Sequence, residues 1–294
     1  RSNLYNTFYI WDAELDPGDG QAKGGWRFGN ALLNDVQPII DEFNIDGDDQ
    51  QRFPFESLGQ SEIAPFQGFL VEAEPEVGPA DFVLSEQARR NEAAFIGEPL
   101  PDEGSERPAP LAEQTRRASS LAKTHQNHAQ NVDFGQPGLL GLALEHTGNG
   151  AQSAALLAFT SQGDSGFDGY DIRLRQSLNS SSVQLFSRSA NGQRLRLNHL
   201  PEQLEGILEF PLDFTTGGNF EAEGEYRLSW PIIERIPARW QIELIDGKTS
   251  QTIDMKRHQE YEFTVSASGK SAVKESPTDA RRLLNQIMQA DTPD

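Results

Sequence analysis

The stretch EYRLSWPIIERIPARWQIELIDGKTSQTIDMKRHQEYEFTVS, Glu225 to Ser266, reads as four short β-strands in succession. Tyr226, Leu228 and Trp230 alternate with Arg227 and Ser229, and Trp240, Ile242 and Leu244 alternate with Gln241 and Glu243. Ile253 and Met255 flank Asp254, while Tyr261, Phe263 and Val265 alternate with Glu262 and Thr264. A period of two places the apolar members of each strand on one face and the polar members on the other. Pro231, Pro237 and Asp246-Gly247 punctuate the run where the chain is expected to turn. This pattern is that of one layer of an antiparallel sandwich.

Upstream of it, the same reading gives six more strands: Leu139–Leu144, Ala155–Phe159, Tyr170–Leu174, Val183–Phe186, Leu195–Leu197 and Ile207–Phe214. Ten short strands with turn signals about every 8–14 residues argue for a two-sheet sandwich of jelly-roll or Greek-key connection over residues 132–268. Gly192-Gln193 and Asp246-Gly247 are expected hairpin turns.

Residues 1–96 form a first β unit. Thr7–Trp11 is a strand, Trp26–Phe28 a returning one, and Phe66–Ala73 with Asp81–Leu84 a further pair. Val36, Ile39, Ile40 and Phe43 have helical spacing, with Pro38 confining that helix to its first turn. The unit opens on a strand, which implies partners upstream and an exposed edge at Phe8–Trp11. Residues 97–131 carry Pro99, Pro101, Pro108 and Pro110 among acids and polar residues. So little apolar surface cannot offset the entropy of ordering, so they read as a flexible acidic linker. In the tail, residues 269–294, Ser276 and Pro277 suit a helix start, and Leu284, Ile287 and Met288 form a helical stripe. The fold class expected is therefore all-β: two sandwich units, a linker and a short C-terminal helix.

Composition narrows the function. Of 294 residues, 45 are Asp or Glu and only 25 Lys or Arg, and just six of those are Lys, for a net charge of −20. Such a surface repels nucleic acid and anionic membranes, and it suits either an ordinary acidic extracellular protein or one adapted to high salt. No apolar run approaches the ~20 residues that span a bilayer. Cysteine is absent, which removes disulfides, thiolate metal sites and thiol nucleophiles. The chain starts at Arg1 without a signal-peptide core, as a processed or trimmed product does.

Candidate sites are few. Asn44, Asp46 and Asp48 place oxygen donors at alternate positions, as calcium loops do, but Phe55 stands where an EF-hand has its closing glutamate, and a solvated acidic turn is the favoured alternative. Asp164, Asp168 and Asp171 share one Gly-rich loop, either around a cation or, as favoured, capping backbone amides. His125 and His128 lie in the linker and lack a third ligand. Trp230 and Trp240 run in phase with core positions, whereas Trp26, beside Gly24, Gly25 and Arg27, is the better candidate for stacking on a sugar ring. No Gly-x-Ser-x-Gly elbow or P-loop occurs.

Several motifs in order carry a family likeness: LYNTFYIWD from Leu4, IAPFQGFLVEA from Ile63, GFDGYD from Gly166, YRLSW from Tyr226 and IPARW from Ile236. Together they resemble the C-terminal β-sandwich modules of secreted and cell-surface bacterial proteins that are cargo of the type IX secretion system. The resemblance implies a non-catalytic extracellular β-sandwich module. Two β units, a flexible acidic connector, a first unit that opens on a strand and no reactive constellation lead to the expectation of a structural or adhesive module, self-assembling by strand addition, with other copies, other extracellular proteins or glycans as partners. The proline-rich insertion and the absence of a recognisable β sorting domain depart from that pattern. The alternative expectation is a carbohydrate-binding module attached to a polysaccharide-degrading system.

Overall fold

The structure, a computed structural model, describes residues 4–13, 24–44, 53–55, 68–73, 137–178, 182–203, 206–266 and 283–289. It is mostly β-strand in antiparallel and mixed sheets, with one helix among the described residues. All ten strands expected over residues 132–268 are present. They are β4 (Gly138–His146), β5 (Gln152–Thr160), β6 (Ile172–Arg173), β7 (Val183–Arg188), β8 (Arg194–Pro201), β9 (Ile207–Thr216), β10 (Gly224–Glu234), β11 (Ile242–Asp246), β12 (Gln251–Asp254) and β13 (Glu260–Val265). With β14 (Leu283–Gln289) they make one sheet in the order β12-β11-β14-β9-β7-β8-β5-β4-β10-β13, and β6 pairs with β8.

One apolar cluster draws on strands from both ends of that order. Ile242, Leu244 and Ile253 from one end meet Leu140, Leu157, Leu212, Tyr226, Leu228 and Trp230. The sheet is thus curled over its own inner face. Phe214 of β9 packs 5.1 Å from Tyr226 of β10, and Phe159 lies edge-on to Trp240 at 5.5 Å. Trp230 and Trp240 are core residues, as their phase implied.

The N-terminal strands lie on the outer face of this sheet. β1 (Leu4–Asp12) is flanked by β2 (Gly25–Gly29) and β3 (Leu70–Ala73), with Trp11 opposite Trp26 and Tyr9 opposite both Phe28 and Leu70. The returning strand at Trp26–Phe28 was anticipated, but β1 is the central strand and not an exposed edge. Helix α1 (Ala31–Asn44) passes through Pro38 instead of ending there. Pro38 is on the exposed side, and burial of Leu32, Leu33, Val36 and Ile40 outweighs the ~3 kcal/mol that an interior proline costs. These residues, with Tyr9, Phe28, Phe53 and Phe55, form one cluster with Leu139, Leu156, Ile172, Leu197 and Ile232 of the large sheet. Gly141 permits that contact, since a Cβ there would lie 2.8 Å from the Phe53 ring.

Three further details depart from the sequence reading. Pro231 does not end a strand: the register of β10 against β4 shifts between Ser229 and Ile232, and the strand continues with Ile232 now facing the outer cluster. β5 and β8 pair in parallel, with Leu157 opposite Asn198, so the sheet is mixed and not wholly antiparallel. The tail residues Leu284, Ile287 and Met288 lie on β14, a strand between β9 and β11, where a helix was expected. Seven residues with apolar members at both spacings satisfy either pattern, and two neighbouring strands with open backbone groups settle it. The linker at 97–131 and the strand at Asp81–Leu84 lie outside the described residues.

Candidate functional site

A group of ionisable side chains lies where β5 and β8 end side by side. The loop that leaves β5 at Thr160 carries Asp164, Asp168 and Asp171 before it enters β6. It packs tightly from its start: Gly163 N–H donates to Thr160 O at 3.2 Å, and a Cβ at Gly163 would overlap Leu200 O at 2.0 Å. Each carboxylate then turns back on its own backbone. Asp164 accepts from Gly166 N–H at 2.7 Å, and Asp168 accepts from Tyr170 N–H at 2.8 Å and Asp171 N–H at 3.3 Å. Asp171 accepts from Asp168 N–H at 2.9 Å and from His199 N–H of β8 at 2.7 Å. This is the backbone-capping arrangement that the spacing favoured. Burial, and next the negative charge of Asp168, push the Asp171 carboxyl up to about 8, against the pull of its two N–H donors.

His199 completes the group. Its Nε2 is 2.7 Å from Thr160 Oγ1, and its Nδ1 is 3.7 Å from Asp168 Oδ2. Carboxylate, imidazole and hydroxyl stand in the order of a hydrolase triad. The 3.7 Å separation exceeds hydrogen-bond length, and both Thr160 and His199 are 0% exposed. The N-terminal layer closes over them. Tyr170 tilts across the His199 ring at 5.3 Å, Asn30 Nδ2 donates to Tyr170 O and Thr7 Oγ1, and the Thr7 hydroxyl donates to Asp171 O.

Beyond β6 the same seam becomes aromatic and cationic. The Arg173 guanidinium lies 4.0 Å from the Phe167 ring and 5.2 Å from Tyr5, Arg175 lies 4.8 Å from Tyr9, and Glu72 of β3 pairs with both arginines. Burial, then Glu72, raise the Tyr9 phenol above its ordinary range. Trp26 is half-buried: its indole N–H donates to Gln176 O at 3.1 Å, and Trp11 meets it edge-on at 5.3 Å. Asn44 ends α1, while Asp46, Asp48, His125 and His128 lie outside the described residues. Among the described residues no group of three or more His, Asp or Glu side chains converges to hold a metal ion, and no helix is long and apolar enough to cross a membrane.

A second feature went unread in the sequence. Where the two ends of the curled sheet approach, β12 and β13 diverge from a turn and leave a cleft of about 430 Å³ between them. Gln251, Thr252, Ile253, His258, Glu260, Tyr261 and Glu262 line it. Trp230 Nε1 anchors the turn, at 2.7 Å from both Met255 O and His258 O. Asp246 is held from the far side by the Tyr261 hydroxyl, Lys248 N–H and Thr249 Oγ1. Burial pulls its carboxyl up, but these donors together outweigh burial and hold it below the usual carboxylate range.

The roles of Thr160 and His199 were also missed. Within Leu195–Leu200, Arg196, Asn198 and His199 alternate with leucines in part, and all three are buried. Arg196 Nη1 donates to Ser153 Oγ and Leu185 O, and Asn198 Nδ2 to Ser187 Oγ. The available signal was a strand with polar residues on both faces, which fits a strand covered on both sides and satisfied by polar neighbours. Comparisons with protein-family models, curated proteins and solved structures found no significant match for this chain.

Proposed function

We propose that the chain is a non-enzymatic structural or adhesive β-sandwich module of a secreted or cell-surface bacterial protein, of the kind its motifs resemble among type IX secretion cargo. The observation that carries this reading is the use made of Asp164, Asp168, Asp171, His199 and Thr160. The carboxylates cap backbone amides, and the imidazole and hydroxyl are sealed beneath the N-terminal layer. Groups so placed add rigidity and offer no reacting atom. The acidic, lysine-poor surface suits an extracellular or saline setting in which other proteins, and not nucleic acid, are the partners. The test is a panel of ester, glycoside and peptide substrates on wild type and Thr160→Val. The expected result is no turnover by either protein and lower stability in the variant. Turnover that Thr160→Val abolishes while the fold persists would overturn the reading.

A second reading, a carbohydrate-binding module, is supported by the half-buried Trp11–Trp26 pair beside Gln176, near Arg175 and Glu72. Glycan-array silence removes it; binding lost in Trp26→Ala establishes it.

A further inference from the structure

We propose that the open edge of β13 receives an extended cationic segment of another protein as an added strand. The inference deepens the preceding reading, on which it rests only for the premise that the chain works by binding.

The first argument is backbone geometry. Trp230 N–H donates to Gln259 O at 3.2 Å, and the register continues with Leu228 opposite Tyr261, Tyr226 opposite Phe263 and Gly224 opposite Val265. In an antiparallel ladder hydrogen-bonded pairs alternate with non-bonded ones, so these pairs use the N–H and C=O groups of Tyr261, Phe263 and Val265. Those of Glu260, Glu262 and Thr264 consequently point away from β10. Across the cleft, Met255 N–H donates to Ile242 O, which by the same rule turns the backbone of Thr252 and Asp254 outward from β11. Among the described residues neither edge has a further strand beside it.

The second argument is what an added strand would meet. Tyr261, Phe263 and Val265 are half-buried where the more interior members of the same core are closed, so alternate side chains of a new strand have apolar surface to cover. The other alternation is acidic. Glu260 and Glu262 point outward and are exposed; the register of Glu262 continues across β10 to Arg227 and across β4 to Glu145, and Glu225 stands opposite Thr264. Among the described residues Arg227 is the cation paired within that patch, 3.0 Å from Glu145 and 4.0 Å from Glu260. Lys or Arg opposite Glu262, with apolar residues on either side, satisfies both faces at once. A second copy fits worse, because two chains of charge −20 repel. The occupant is therefore a foreign strand of alternating cationic and apolar residues, bound by main-chain pairing and selected by charge.

The experiment uses the full chain and a fluorescein-labelled peptide, acetyl-Thr-Lys-Val-Lys-Val-Lys-Thr-amide. A peptide of the same composition with its lysines in one block is the control. The alternating peptide is expected to bind saturably, and the amides of Glu260, Glu262 and Thr264 to gain hydrogen-exchange protection. Glu260→Lys with Glu262→Lys is expected to weaken binding at least tenfold at low salt, and Glu262→Pro to abolish it by removing an edge N–H. As a test that does not depend on the proline variant folding, the peptide N-methylated at its lysines, whose N–H groups face β13 when they stand opposite Glu260, Glu262 and Thr264 in an antiparallel pairing, is run against wild type, where loss of binding supports main-chain pairing. Absence of saturable binding, equal binding of the block peptide, or protection elsewhere overturns the proposal. So does peptide-free, concentration-dependent protection of β13, which would mark self-association. None of these results bears on the substrate panel, so failure here is distinct from failure of the non-enzymatic reading.

Discussion

The Tyr261 hydroxyl donates a 2.7 Å hydrogen bond to Asp246 Oδ2, tying β13 at one end of the curled sheet to the β11–β12 turn at the other. Tyr261→Phe removes that tie alone and is expected to cost about 1–2 kcal/mol at neutral pH. Asp246 titrates below the usual range when folded, so its contribution is present above the unfolded carboxylate value and is lost as pH falls through the folded one. With one donor gone, the variant retains less of that contribution. Urea denaturation should therefore show wild-type and variant curves converging as pH falls below the ordinary Asp value. Parallel curves at every pH would count against the Asp246 linkage.

Asp171 gives the opposite sign. Its folded carboxyl titrates near 8, above its unfolded value, so the stability it confers is complete in acid and declines as pH rises to about 8. Asp171→Asn should flatten that decline. At pH 4–5 the variant should be less stable by about 1–3 kcal/mol, because the amide NH₂ opposes one of the two N–H donors. The gap should narrow by pH 9, when wild type carries a buried charge. Denaturant midpoints across this range are the measurement; a wild-type profile with no decline refutes it.

Asn30 separates capping from stitching. Its Oδ1 accepts from Leu32 N–H at the start of α1, while its Nδ2 donates to Thr7 and Tyr170. Aspartate is as good a cap as asparagine but has no donor. Asn30→Asp should therefore destabilise by about 1–3 kcal/mol despite keeping the cap, comparably to Asn30→Ala. A neutral Asn30→Asp in thermal unfolding would show that only the cap matters.

Gly141 tests the shared core. A methyl there meets Phe53 at 2.8 Å and Ile232 at 3.0 Å, so Gly141→Ala should cost about 1–3 kcal/mol. Hydrogen exchange in α1 should accelerate along with that in β4, because both press on the same cluster. Destabilisation of β4 with α1 unchanged would contradict a common core.

The strands of the large sheet were legible because alternation repeats over each of them and turn residues fall between. What escaped was set by neighbours. Pro38 reads as a helix stop until Leu32, Leu33 and Val36 extend the buried stripe on its N-terminal side. Leu284, Ile287 and Met288 fit a helix stripe until β9 and β11 offer them a slot. At the site, the capping role of the three aspartates followed from short spacing in a Gly-rich loop, whereas the partnership of Thr160 with His199 spans 39 residues and exists only because β5 and β8 lie side by side. The cleft was invisible for a similar reason: it depends on where two sheet ends stop, which no local pattern encodes.

The parallel pairing of β5 with β8 also sets an order of events during folding. An antiparallel neighbour forms by simple reversal of the chain, but this ladder closes only after the intervening segment, with β6 and β7, has crossed over and returned. Until then the leucines of β5 lack one flank. The aspartate loop lies within the crossover, so its clasp on His199 is expected to close late in assembly, and a slow refolding phase is to be sought there.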